Sequence, residues 1–175
     1  SHERIKLLPA STALATLERQ SPGQSGLGLV IAKSLAQLWG EFDHAVIDSP
    51  PLLGILMVNA LAASQQLVIP VQTEFLAVKG LERMVSTLAM INRSRKQALP
   101  YLIVPTLFDR RTQASMSTLR ALRNSYPEQL WPAYIPVVTR LRDASRAGLT
   151  PSQFDPNCRA VLAYRALLKH LLSLQ

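Results

Sequence analysis

A single cysteine, Cys158, leaves the chain without an internal disulfide, and three histidines far apart at His2, His44 and His170 give no zinc-ligand spacing. Disulfide scaffolds and zinc modules are thereby excluded. No apolar run approaches the roughly 18 residues that a bilayer-spanning helix needs, and the start of the chain is not patterned as a signal peptide. The expectation is a soluble, cytoplasmic protein with no membrane partner. Charged residues are also sparse, 17% against 48% apolar in 175 residues, a globular balance far from disorder. A chain of this length buries a real core, and it shows no repeat, linker or low-complexity segment, so one domain over 1–175 is expected.

Acidic residues are scarcest where basic ones crowd. Residues 93–146 hold ten Lys/Arg against three Asp/Glu, a net of +7 within a whole-chain charge of +8, whereas residues 1–92 hold six against seven. A segmental excess of this kind suits a nucleic-acid or phosphate-binding face. An arginine-rich, solvated surface explains it as well.

Three short apolar runs read as buried parallel strands: His44–Ile47, Leu67–Val71 and Tyr101–Pro105. Arg4–Leu8 reads as a short strand stopped by Pro9, and a further strand is expected near Leu130–Ile135. Helical spacing of apolar residues falls at about 11–20, 27–39 (closed by Gly40), 53–63, 78–94, 113–126, 140–147 and 159–174. Strands alternating with helices give βαβ crossovers. The fold class expected is α/β, a three-layer arrangement with a mostly parallel sheet and helices on both faces, in which the three apolar runs are neighbours.

Ligands of such sheets sit beyond the C-terminal ends of the strands. Asp48 follows the run H-A-V-I there and precedes Ser49-Pro50-Pro51. A carboxylate in that place can hold magnesium, directly or through water. It can equally cap the helix that follows.

The string from Phe42 to Leu81, F-D-H-A-V-I-D-S-P-P-L-L-G-I-L-M-V-N-A-L-A-A-S-Q-Q-L-V-I-P-V-Q-T-E-F-L-A-V-K-G-L, is far more specific. It resembles the ParA/MinD-type partitioning ATPases, whose pattern runs D-x-P-P, N-A-L-x-A, V-I-P-V-Q and E-x-x-A-x-x-G-L. Leu102–Thr106 with Phe108-Asp-Arg-Arg111, Ile135-Pro136 with Arg140–Ala144, and Asp155-Pro156 with the last helix follow in the family's order. The resemblance spans essentially all of the chain. It implies a P-loop NTPase-like fold, ATP and Mg2+ as cofactors, an ATP-dependent dimer, and positioning of cellular cargo with a ParB-like activator or cargo protein as partner. Asp48 is implied as the magnesium-linked Walker B carboxylate, with Ser49, Pro50, Pro51 and Gly54 as the switch loop. Thr106 and the backbone of Ile135 and Pro136 are implied as the border of the adenine. Chromosome or plasmid segregation is the expected role; placement of chemotaxis or flagellar assemblies, or a non-catalytic scaffold, are the alternatives.

The family's phosphate-binding loop, K-G-G-x-G-K-[ST], belongs upstream of everything matched and is missing, as is the first strand. Gly23-Gln-Ser-Gly-Leu-Gly28 spaces two glycines suitably, but Leu29 follows where the lysine belongs. The expectation is therefore the C-terminal two-thirds of such an ATPase, inactive alone, with no nucleotide bound and an unpaired slot in its sheet. Arg110, Arg111, Arg120, Arg123, Arg140, Arg142 and Arg146 are the candidates for sequence-independent DNA binding, and nucleoid association would follow. Arg111 matches the family's loop arginine and can serve nucleotide or fold instead. The final helix is expected to pack on the sheet through Val161, Tyr164, Leu168, Leu171 and Leu172.

Overall fold

The computed structural model of the protein describes residues 5–14, 16, 27–50 and 54–174. They fall into two compact units, one ending at Gln65 and one starting at Gln66.

In the first unit a 3-10 turn, Leu27–Leu29, leads into α1 (Val30–Gln37). Gly40 ends this segment at φ +89, a left-handed conformation that costs glycine nothing. α2 (Ile55–Ala63) is almost wholly apolar and buries Met57, Ala60 and Leu61. Its buried Asn59 is fully employed: Nδ2 donates to the Ile55 carbonyl at 2.9 Å, and Oδ1 accepts from the Ile31 N–H at 3.2 Å. That N–H lies in the first turn of α1 and has no helical acceptor of its own, so one side chain ties the two helices together. A Cβ on Gly28 would stand 3.3 Å from Val58 Cγ1, so this glycine serves the packing of the turn on α2. Residues 13, 14 and 16 are helical, in keeping with a helix from Ser11. The remainder of that helix, the Ser21–Gly26 loop, and Pro51 lie outside the described residues.

Two expected strands do not form. Ile5–Leu8 and His44–Ile47 run as exposed coil for the most part, with Val46 95% exposed. An apolar run becomes a central strand only where neighbouring strands take its N–H and C=O groups and a further layer covers its side chains. No strand pairs with His44–Ile47 among the described residues, so that run is not the third neighbour expected of it.

The second unit carries the sheet. β1 (Leu67–Gln72) and β2 (Tyr101–Thr106) pair in parallel, with Leu67 opposite Tyr101 and Gln72 opposite Thr106. The crossover between them is α3 (Phe75–Asn92); α4 (Gln113–Ser125), α5 (Arg140–Arg146), α6 (Pro151–Phe154) and α7 (Arg159–Leu172) follow. Side chains alternate across the strands. Ile69, Val71 and Ile103 pack with Leu81 of α3 and Leu122 of α4. Val68, Leu102 and Val104 face the other way, towards Trp131, Ile135 and Leu167 of α7. Helices thus cover both faces of a parallel α/β sheet, as expected.

The segment after α4 supplies a broken third strand. Ile103 donates its N–H to the Gln129 carbonyl and accepts from the Trp131 N–H, both at 2.8 Å. Two residues on, Pro105 presents a carbonyl to the Ile135 N–H at 2.8 Å but has no N–H to give. Only isolated bridges remain, Ile103 with Leu130 and Phe108 with Pro136, where a continuous strand over Leu130–Ile135 was expected.

β1 is paired on one edge only among the described residues. Leu67 and Thr73 donate towards β2, to the Pro100 and Thr106 carbonyls. Backbone groups alternate along a strand, so those of Val68, Pro70 and Gln72 face outward, and proline leaves the middle of that row without a donor.

α7 packs on the sheet as expected, yet with its face turned. Ala163, Leu167 and Leu171 meet the sheet residues, while Tyr164, Leu168 and Leu172 are about half exposed. Alanines bring the helix close, a contribution that hydrophobicity alone underweights.

Replacing fully buried Ile103 with alanine should lower stability by about 2–5 kcal/mol. Val46→Ala should change it by less than about 0.5 kcal/mol. Chemical denaturation of the two variants checks both values, and a large loss for Val46→Ala would restore the buried-strand reading of His44–Ile47.

Candidate nucleotide edge and basic surface

The candidate site residues fall in both units, and each group is built by its own surroundings. In the first, Asp48, Ser49 and Pro50 are exposed coil, and Gly54 stands in extended backbone at the start of α2. Asp48 therefore does not close a strand. Among the described residues no three His, Cys, Asp or Glu side chains gather as a metal site. One exposed carboxylate gives magnesium a single, water-mediated hold, and the other ligands would have to come from phosphate oxygens and water. No cradle of backbone N–H groups for phosphate accompanies it among the described residues. By themselves the described residues do not fit a bound magnesium triphosphate.

The residues of the second unit expected to border an adenine, Thr106, Ile135 and Pro136, are brought together. Ile135 donates to the Pro105 carbonyl at 2.8 Å, its own carbonyl accepts from Phe108 at 3.1 Å, and Val137 donates to the Phe108 carbonyl at 3.0 Å. Thr106 and Pro136 thus lie on one edge at the C-terminal end of β2, where ligands of such sheets sit. The buried Ile135 uses both its backbone groups in these pairings, so the Thr106 hydroxyl and the Pro136 carbonyl are what the edge can offer to a base. The Phe108 and Tyr134 rings, 4.2 Å between centroids, close it from behind.

Two residues that sequence reasoning missed lie against this edge. Thr73 and Ser115 are buried side by side, their hydroxyls 3.0 Å apart, at the end of β1 and in the first turn of α4. The Thr73 hydroxyl also reaches the Leu107 carbonyl at 3.5 Å, and Ser115 Oγ accepts from the Asp109 N–H at 3.5 Å. Between these contacts Leu107 adopts φ +51, a left-handed conformation that costs a non-glycine residue about 1–2 kcal/mol. Forty-two positions separate the pair, and no periodicity announces such a contact. Thr112 caps α4 by accepting from the Ser115 N–H at 3.3 Å.

The arginines divide into kinds. Arg111 grips Asp109: Nη2 donates to Oδ2 at 2.7 Å, and Nε and the backbone N–H each donate to Oδ1 at 3.0 Å. It braces its own loop. Arg140 stands 3.6 Å from Asp155. Arg110, Arg120, Arg123, Arg142 and Arg146 are exposed. Arg120 and Arg123 lie three apart on α4, which covers the Ile103 face of the sheet. Arg142 and Arg146 lie four apart on α5, whose Leu141 packs with Cys158, Ala160 and Val161 at the start of α7. The basic residues thus form separate groups on α4 and α5.

The family profile described as an AAA domain matches residues 1–101. The sporulation initiation inhibitor protein Soj of Bacillus subtilis (strain 168) is 28% identical over 97% of this chain and 67% of its own length. The chain belongs to the ParA/MinD-type family of partitioning ATPases. The chromosome-partitioning protein ParA of Myxococcus xanthus is similar at 27% identity over 96% of the chain, which spans 60% of that ParA. The chain therefore spans roughly two thirds of these relatives. Among solved structures, a cobyrinic acid a,c-diamide synthase of Mycobacterium smegmatis, with bound ADP and magnesium, superposes with a TM-score of 0.75 at 29% identity. That match covers 96% of this chain and 63% of the synthase.

Hydrogen bonds from the Arg111 side chain, then its backbone N–H, lower the Asp109 carboxyl from 3.8 to about 2. A carboxyl held below its ordinary value stabilises the fold above about pH 4 and loses that contribution as pH falls through about 2. Carboxyl-carbon NMR should give Asp109 a midpoint of about 2. In Arg111→Gln the midpoint should return towards 3.8, the ordinary value for this carboxyl.

Proposed function

We propose that this chain works within a ParA-like partitioning ATPase that positions plasmid or chromosomal DNA as cargo, by ATP-dependent dimerisation and sequence-independent DNA binding. The observation that carries the reading is the likeness to Soj and ParA, which runs through nearly the whole chain, including its arginine-bearing segment. The base edge at Thr106, Ile135 and Pro136 supports it from the side of the nucleotide. The exposed arginine pairs of α4 and α5 support it from the side of the DNA. Magnesium and the phosphates would be held chiefly by the family's phosphate loop, with Asp48 joining them through water and the Ser49–Gly54 loop sensing the γ-phosphate. A ParB-like or cargo protein would then regulate the dimer.

Two measurements test this. Isothermal titration of the 175-residue chain with magnesium-ATP should show no tight binding, because the described residues supply only a base edge; micromolar affinity would overturn the assignment of the phosphate site to another segment. In the full-length ATPase with ATP, duplex affinity should be independent of sequence and fall steeply with salt. The double reversal Arg120→Glu with Arg123→Glu should reduce the salt slope by roughly one per arginine at an unchanged melting temperature. Unchanged affinity in an intact dimer would assign the α4 surface to a protein partner.

A further inference from the structure

The loop after β2 is held in a conformation that its own sequence does not favour. Leu107 has a positive φ, and no glycine, asparagine or aspartate relieves it there. Such a conformation persists only where the surroundings over-determine it. Here the surroundings are explicit. On one side Phe108 is locked to Ile135 and Val137 by backbone hydrogen bonds. On the other stands the buried hydroxyl pair, Thr73 at 1% exposure and Ser115 at 7%.

Neither hydroxyl is used to cap its own helix or bridge its own strand. Ser115 Oγ reaches the Thr73 carbonyl at 3.4 Å as well as the Thr73 hydroxyl, while the Thr73 N–H donates to the Thr106 carbonyl at 3.1 Å. The end of β1, the end of β2 and the first turn of α4 thus converge on two side-chain oxygens.

We propose that Thr73 and Ser115 form a hydroxyl latch that holds the Leu107 backbone left-handed, so that the two strand ends and the loop up to Asp109 form one preset ledge. Thr73 and Ser115 are positioning residues. They act through the Leu107 carbonyl and the Asp109 N–H, and touch no ligand themselves. With the latch closed, the path of the chain from Thr106 to Phe108 is set before anything binds. The half-exposed Leu107 side chain is thereby presented at the strand ends, next to the backbone of Thr106. The use of this ledge as the border of a base rests on the proposed function; the latch itself does not.

Amide hydrogen exchange in the full chain, with no nucleotide added, tests the latch separately from nucleotide binding. Thr73→Val keeps the shape and removes the hydroxyl. It should speed exchange at Phe108 and Asp109 about tenfold or more, with Ile103 as the reference amide in the same sheet. Thr73→Ser should keep the protection, and Ser115→Ala should lose it. The decisive variant adds Leu107→Gly to Thr73→Val. Glycine adopts positive φ without penalty, so protection at Phe108 should return although the hydroxyl is still missing. The latch is overturned if Phe108 and Asp109, referred to Ile103, exchange no faster in Thr73→Val than in the unsubstituted chain, or if Leu107→Gly restores nothing. Should Thr73→Val fail to fold, Ser115→Ala with and without Leu107→Gly gives the same comparison.

Discussion

The backbone of β2 is engaged on both edges, and the second unit is arranged around that fact. A strand within a sheet must find partners for its N–H and C=O groups on either side. β1 supplies one side over six residues. The other side is met by the chain after α4, at Gln129, Trp131 and Ile135. Pro105 weakens the second edge by withholding a donor, and the chain there leaves the ladder and rejoins it. The detour delivers Ile135 and Pro136 to the end of β2, beside Thr106, so the break in the strand is also what shapes the edge of the site.

The sheet's centre was legible in the sequence because its signals were local. Leu67–Val71 and Tyr101–Pro105 are apolar, short and bounded by helical periodicity, and their residues alternate faces as a covered sheet requires. His44–Ile47 carries the same signal, and its composition cannot tell whether a neighbouring strand stands ready to pair with it. The turned face of α7 has a similar origin: Ala160 and Ala163 are small rather than strongly apolar, and close approach of the helix selects them. The family motifs assign Asp48, Thr106, Ile135 and Pro136 by their order along the chain, since spacing is what motifs record. Thr73 and Ser115 escaped because their meaning lies in a contact between distant segments. Arg111 counted as one more cation until its grip on Asp109 was visible.

All seven candidate arginines are exposed, but the two with carboxylate partners differ from the other five in what they can give a polyanion. Arg111 already spends its guanidinium on the loop it braces, in a bidentate arrangement that water does not easily replace. Arg120 and Arg123 remain on one helix face with their charge unspent among the described residues. The two ion pairs already cancel within the formal net charge of +8, so the placement of the excess by helix matters more than its sum.

Pro70 makes the outer edge of β1, unpaired among the described residues, a weak template. The three outward-facing positions offer two donors, Val68 and Gln72, about 13 Å apart, with a silent position midway. A guest strand that takes both donors leaves its intervening carbonyl facing the proline ring, in every in-phase register. Two copies of this edge laid against each other would each present that gap to the other, so like edges are poor mates. Fibre growth by edge-to-edge stacking starts from like edges. A single imino acid thus thins the hydrogen bonding that any guest strand finds on this edge, its own twin included.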